Sequence, residues 1–131
     1  MKMHKLIIAA AFLALPFMAN SALAGDAAKG KEIVDKQCTT CHTFAEQFAK
    51  KGKLGPAFMT SPAGQKAGIS PDFKYSAGMK KVITDGLMWT DENLDKLLTK
   101  PSDLIKGTAM AFPGIKEADK RADVIAFLKS F

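Results

Sequence analysis

Residues 38–42 read Cys38-Thr39-Thr40-Cys41-His42, and this stretch decides how the rest of the chain is read. Two cysteines separated by two residues and followed at once by histidine form the attachment sequence of c-type haem. The spacing has a geometric reason. Two intervening residues let both sulfurs reach vinyl groups on neighbouring pyrroles as thioethers, and the next imidazole then falls beneath the porphyrin centre, where it can ligate iron. Two other chemistries draw on the same residue types. A Cys-x-x-Cys pair can close the redox ring of a thiol oxidoreductase. A structural zinc site wants about four Cys or His ligands, of which this stretch supplies Cys38, Cys41 and His42 only. The adjacent histidine favours haem over both.

Upstream, Lys2, His4 and Lys5 precede an apolar run from Leu6 to Phe17, followed by polar Asn20 and Ser21 and then Ala22-Leu23-Ala24 before Gly25. That order is a secretory signal peptide cut after Ala24. The apolar run is short for a bilayer span and Pro16 interrupts it, which argues against an uncleaved anchor. The expected organisation is therefore a cleaved signal peptide, residues 1–24, and one monohaem domain, residues 25–131. Cleavage removes Lys2 and Lys5 and no acidic residue, so the net charge falls from +6 to +4. It also removes His4, leaving His42 as the only histidine. Export agrees with the haem reading, because c-type haems are attached outside the cytoplasm. The composition, 47% hydrophobic and 24% charged, is that of an ordinary globular domain and excludes disordered, fibrous and polytopic membrane classes.

Downstream and upstream of the motif the apolar spacing is helical or absent. Asp26 is an N-cap candidate, and Ala27, Gly30, Ile33 and Val34 share one face, which predicts a helix running to about Cys38. Between Thr43 and Tyr75 no period is sustained; Gly52, Gly55, Pro56, Pro62, Gly64, Gly68 and Pro71 punctuate the stretch. So long an irregular segment has a special reason, and wrapping a buried cofactor is one. Ser76–Thr84 is read as a short helix. Thr90 caps a clearer one, with Asp91 and Glu92 in its first turn, Leu94, Leu97 and Leu98 as its apolar side, and a stop at Pro101. The last helix carries Val124, Phe127, Leu128 and Phe131 on one face against Lys120, Arg121, Asp123 and Lys129 on the other. No segment alternates like a strand. The expected fold is all-α and small, three to five helices with long loops around one haem, whose macrocycle supplies burial that the side chains lack.

The side of the iron opposite His42 needs a second ligand, or is left open. Met59, Met79, Met88 and Met110, a lysine, and water are the candidates. Methionines are commonly core filler. Met110 differs in lying within Lys106-Gly107-Thr108-Ala109-Met110-Ala111-Phe112-Pro113-Gly114, a loop bounded by Gly and Pro that can fix a flexible thioether toward a metal.

Taken in order, these elements resemble the class I cytochromes c, the mitochondrial protein and its bacterial periplasmic relatives. The resemblance rests on Gly25-Asp26 and Gly30-Lys31 ahead of the haem motif, Leu54-Gly55-Pro56, Phe73-Lys74-Tyr75-Ser76, Trp89 before the capped helix ending at Pro101, Gly107-Thr108 leading to Met110 and Phe112, and Arg121 to Leu128. It implies one haem c held through Cys38 and Cys41, with His42 and Met110 as axial ligands. It further implies that the Pro56 carbonyl accepts from the His42 imidazole, that Tyr75 and Trp89 reach a haem propionate, and that Thr108 and Phe112 join the cofactor-binding set. Gly30 would lie where the terminal helix, through Phe127, crosses the first helix closely. Two departures stand out. Gln65 occupies the place of an arginine near the inner propionate, with Lys66 as a substitute, and Leu97 occupies that of a tyrosine whose hydroxyl approaches the methionine sulfur.

The function implied is that of a soluble periplasmic one-electron carrier, not an enzyme, because His/Met ligation saturates the iron. Its redox partners would be a quinol-cytochrome c oxidoreductase, a terminal oxidase, a photosynthetic reaction centre or a periplasmic dehydrogenase. Nucleic acid is not expected as a partner, nor stable membrane insertion after cleavage, and the protein is expected to be a monomer. Lysines 36, 50, 51, 53, 106 and 116 either ring the haem edge and steer acidic partners or are merely solvated. The alternative function is a haem-based ligand sensor or peroxidase with Met110 off the iron.

Overall fold

In the computed structural model, which describes residues 24–45 and 54–131, Asp26 starts the first helix as its sequence predicts. Its carboxylate accepts from the N–H groups of Ala28 (2.9 Å) and Lys29 (3.2 Å). Helix α1 then runs Ala27–Gln37 and delivers Cys38 at its C-terminal end. Replacing Asp26 with Ala should cost about 1 kcal/mol through the lost cap, and Asp26→Asn should retain most of it; chemical denaturation of the two variants measures the difference.

Four further helices follow: α2 Ala77–Thr84, α3 Asp91–Thr99, α4 Pro101–Leu104 and α5 Ala118–Leu128. Ser76 and Thr90 cap α2 and α3 through their hydroxyls, the first accepting from Met79 N–H and the second from Asn93 N–H, both at 3.2 Å. Pro101 ends α3, as expected, but it also opens α4 from the first helical position, an element that the sequence periodicity does not predict. A proline lacks only a donor that a first turn leaves unpaired anyway, and its fixed φ already suits a helix.

The terminal helix differs from its predicted form in three ways. It stops at Leu128, so Phe131 lies beyond it, although its ring still packs against Phe127 (5.4 Å) and Phe44 (6.1 Å). Ile125 is buried along with Val124, Phe127 and Leu128. Arg121 and Asp123, assigned to the solvated face, are both engaged. The Arg121 side chain is only 13% exposed and pairs with Asp95, and Asp123 accepts from the Asp26 N–H at 2.7 Å. Polar residues can bury where they find partners, which periodicity does not report.

The two terminal helices cross at Gly30. A Cβ there would stand 1.9 Å from the Asp123 carbonyl oxygen and 3.0 Å from the Phe127 Cβ, so the backbones themselves are in contact. Val34, Leu94, Leu98, Val124, Phe127 and Leu128 form the core beside this crossing. The loop from Leu54 to Tyr75 is tied to that body by main-chain bonds instead of sheet: Phe58 N–H to Thr43 (2.7 Å), Ala67 N–H to Leu87 (2.8 Å) and Trp89 N–H to Gln65 (2.8 Å). Only isolated bridges, Phe44 with Phe58 and Lys66 with Met88, have strand-like pairing among the described residues.

Candidate haem site

Helix α1 ends in a turn that gathers the motif. The N–H groups of Cys41 (3.1 Å) and His42 (2.8 Å) both donate to the Cys38 carbonyl, and the Gly55 N–H donates to the Cys41 carbonyl (2.8 Å). Cys38 and Cys41 are half-buried free thiols. Burial, and secondarily the charge of Cys41, push the Cys38 thiol up to about 11. A redox-active Cys-x-x-Cys motif works through a thiol whose pKa is lowered, so this environment suits the thiol oxidoreductase reading poorly.

His42 is held on three sides. Its Nδ1 lies 2.9 Å from the Pro56 carbonyl oxygen. A carbonyl only accepts, so Nδ1 carries the proton and donates, and the lone pair remains on Nε2. The ring stacks on Phe58 at 5.2 Å. Gly55 lies against its edge, where a Cβ would come within 2.5 Å of Cε1; any larger residue would turn the ring. Burial lowers the His42 pKa below its ordinary value, with the Pro56 bond opposing the shift, so the imidazole is in the neutral form that binds metal. An imidazole anchored through its other nitrogen is oriented for ligation. Phe58 and Gly55 belong to this site as well; the first gave no signal in the sequence, while the second stands beside Pro56 in a Gly-Pro pair.

Met110 sits in a strap between α4 and α5. Its N–H donates to the Thr108 hydroxyl (3.1 Å), and both residues are half-buried, as is Phe112, which packs on the core. The strap is fixed at its ends. Ile105 is buried and its N–H donates to Pro101 (2.9 Å); Ile115 is buried and its N–H donates to Leu98 (2.7 Å). Met59 and Met88 are exposed, whereas Met79 packs on the core.

Tyr75 is half-buried, its hydroxyl accepting from the Ser70 N–H (3.2 Å), which leaves its own proton to donate elsewhere. Trp89 is 6% exposed, and its indole N–H has no hydrogen-bond partner among the described residues. A buried donor without an acceptor is costly; a haem propionate is the acceptor this site would supply. Gln65 and Lys66 are both exposed, and Gln65 donates to the Ser61 carbonyl, so neither offers a buried cation. Leu97 is half-buried against the core. Among the described residues no hydrogen bond joins the His42 segment to the Met110 strap. The two belong to separate stretches of chain, and the paired thiols, the oriented neutral imidazole and the unpartnered indole fit a covalently bound haem c.

A small helical domain organised around such a site is a class I c-type cytochrome. The cytochrome c family model matches residues 27–131, and the chain belongs to that family. Cytochrome c2 from Rhodomicrobium vannielii is 42% identical over 96% of this chain and 95% of its own length. Cytochrome c2 from Agrobacterium tumefaciens is 39% identical over 79% and 90% respectively. The solved cytochrome cH from Methylobacterium extorquens superposes with a TM-score of 0.68 at 36% identity, covering 82% of this chain and 100% of that one. This chain is accordingly an electron-transfer protein that carries haem c, and not an enzyme.

Proposed function

We propose that residues 25–131 form a soluble, monomeric, periplasmic carrier of single electrons whose iron is held by His42 and Met110. The observation that carries this reading is the imidazole fixed through Nδ1 by the Pro56 carbonyl, supported by the place of Met110 on a strap anchored at both ends. Cys38 and Cys41 would hold the haem covalently, with Tyr75 and Trp89 donating to a propionate and Thr108 and Phe112 shaping the strap. When bound, haem c supplies a one-electron ferric/ferrous couple, whose potential Met/His ligation raises. The chain's part would be to orient His42, to present the Met110 thioether to the iron and to exclude solvent from it. Closed to exogenous ligands in this way, the protein passes electrons and does no chemistry on substrates.

Signal-peptide cleavage after Ala24 is supported by the start of the folded domain. Gly25 already packs on α5, where a Cβ would stand 1.9 Å from the Ala122 carbonyl oxygen. Residues 1–23 lie outside the described residues. No helix among the described residues is long and apolar enough to cross a membrane. The redox partners proposed are a quinol-cytochrome c oxidoreductase, a terminal oxidase, a photosynthetic reaction centre or a periplasmic dehydrogenase. Lys36, Lys106 and Lys116 are exposed and available to steer acidic partner surfaces; lysines 50, 51 and 53 lie outside the described residues.

The test is the optical spectrum of the purified holoprotein. The oxidised form is expected to show the weak near-infrared charge-transfer band of Met-ligated ferric haem, and Met110→Ala should abolish it while leaving the covalent haem in place. The reduced wild-type protein should resist carbon monoxide near neutral pH, and the variant should take it up. Absence of the band from the wild-type protein, with ready carbon monoxide binding, would replace the carrier by the ligand sensor or peroxidase.

A further inference from the structure

Between its ends the strap that carries Met110 is held by the packing of Phe112 on the core and by very little hydrogen bonding. Among the described residues the only hydrogen bond from residues 109–114 is that of Met110 N–H to Thr108, within the strap itself. Its main-chain hydrogen bonds to the body are therefore made where it enters and leaves. At the exit, Arg121 on α5 reaches three acceptors: Nε to the Asp95 carboxylate on α3 at 2.6 Å, and Nη1 to the carbonyls of Ile115 (3.0 Å) and Lys116 (2.8 Å). The guanidinium is 13% exposed and Asp95 is 44% exposed. The Ile115 N–H is bound to Leu98, and Gly114 passes so close to α3 that a Cβ would stand 1.9 Å from the Thr99 carbonyl oxygen.

We propose that the Asp95–Arg121 pair is a clamp that positions the Met110 strap and so sets how readily Met110 leaves the iron. This rests on the reading of Met110 as a ligand. The physical reason is the fork of the guanidinium. One planar group fixed by Asp95 presents donors to two consecutive carbonyls of the strap, and this locks the chain direction at Ile115–Lys116 as a single hydrogen bond cannot. A lysine keeps the charge but, as a single ammonium, cannot hold the carboxylate and both carbonyls in that geometry. Local opening of a strap is governed by the interactions that must break for it to open, so weakening its anchor raises the open population without unfolding the domain.

The experiment uses holoprotein carrying Arg121→Lys, Asp95→Asn or, as a control, Lys129→Gln. The last breaks the exposed Lys129–Asp91 pair, which touches no part of the strap. Two properties are measured: carbon monoxide uptake by the reduced protein, and loss of the near-infrared band on heating compared with loss of helical circular dichroism. Arg121→Lys is expected to take up carbon monoxide about tenfold faster or more, the order expected for losing charge-assisted bonds to main-chain carbonyls. Its band should fade at temperatures where the helices are intact. Asp95→Asn should move in the same direction by less, because the bonds to Ile115 and Lys116 remain, and Lys129→Gln should match the parent. Parent-like uptake and band in Arg121→Lys overturn the clamp. So does a band that melts only together with the helices, which makes the pair merely structural. A band that survives Met110→Ala overturns the ligand reading, and the clamp with it; a band lost in Met110→Ala but indifferent to Arg121→Lys overturns the clamp alone.

Discussion

Gly30→Ala is expected to destabilise the holoprotein by about 3 kcal/mol or more, against a typical domain stability of about 5–15 kcal/mol. In an ordinary helix interior the same change would stabilise by up to about 1 kcal/mol, because alanine loses less backbone entropy than glycine. The sign reverses here because a Cβ at position 30 would stand 1.9 Å from a main-chain oxygen of α5. A side chain in the way could rotate aside, but a helical carbonyl can move only if the helix moves. Separating the helices would loosen the packing of Val34, Val124 and Phe127, which are all buried, and would strain the bond from Asp26 N–H to Asp123. Denaturant unfolding, followed by helical circular dichroism, measures the loss. Glu32→Ala, on the exposed face of the same helix, should stay within about 0.5 kcal/mol of the parent. Equal stability of Gly30→Ala and the parent would mean that the crossing is not the closely packed one described.

Removing both attachment thiols should have a larger effect still. The double variant Cys38→Ser/Cys41→Ser is expected to give no haem stain on a denaturing gel and to lose roughly half or more of its helical circular dichroism, because its helices are too short to persist without tertiary packing. The longest, α1 and α5, have 11 residues each. The side-chain core is small for the length of chain, α2 contributes no fully buried residue to it, and the indole N–H of Trp89 stays without an acceptor. A domain of this size buries a smaller fraction of its surface than a larger domain does, and the macrocycle makes up the shortfall. A cooperatively folded apoprotein would show instead that the helices suffice alone, leaving haem a functional but not a structural component.

Much of the site was legible in the sequence because its chemistry is local. Cys38, Cys41 and His42 lie within five residues, so their spacing by itself favours haem over a thiol redox pair or a zinc site. Asp26 and Thr90 each cap the helix that begins at the next residue, as read from the sequence, whereas Ser76, read as the first residue of its helix, is the cap of α2. Pro56 as the acceptor for His42 came from resemblance to a family, and the 2.9 Å separation agrees with it. So did the crossing at Gly30, and the close approach of α5 is there. Arg121 shows the opposite case. Its position in the helical period marks it as solvated, yet it is the most buried member of any ion pair among the described residues. Its partners lie on another helix and on the strap, and no local pattern encodes them. Phe131 likewise fitted the period of α5 but falls beyond its end, its ring kept in the aromatic cluster by packing instead of by helix geometry.

The sequence by itself therefore determined the cofactor, the helical class, the order of most helices and the residues of the attachment motif, because these depend on spacings of a few residues. Tertiary structure alone decided that Phe58 backs the His42 ring, that Gly114 passes against the main chain of α3 and that Arg121 reaches Asp95 and the exit of the Met110 strap. Most of these join residues far apart in the chain. Such pairings form only after the helices have packed, when burial makes a partner for a charge, or room for a backbone, a condition of stability.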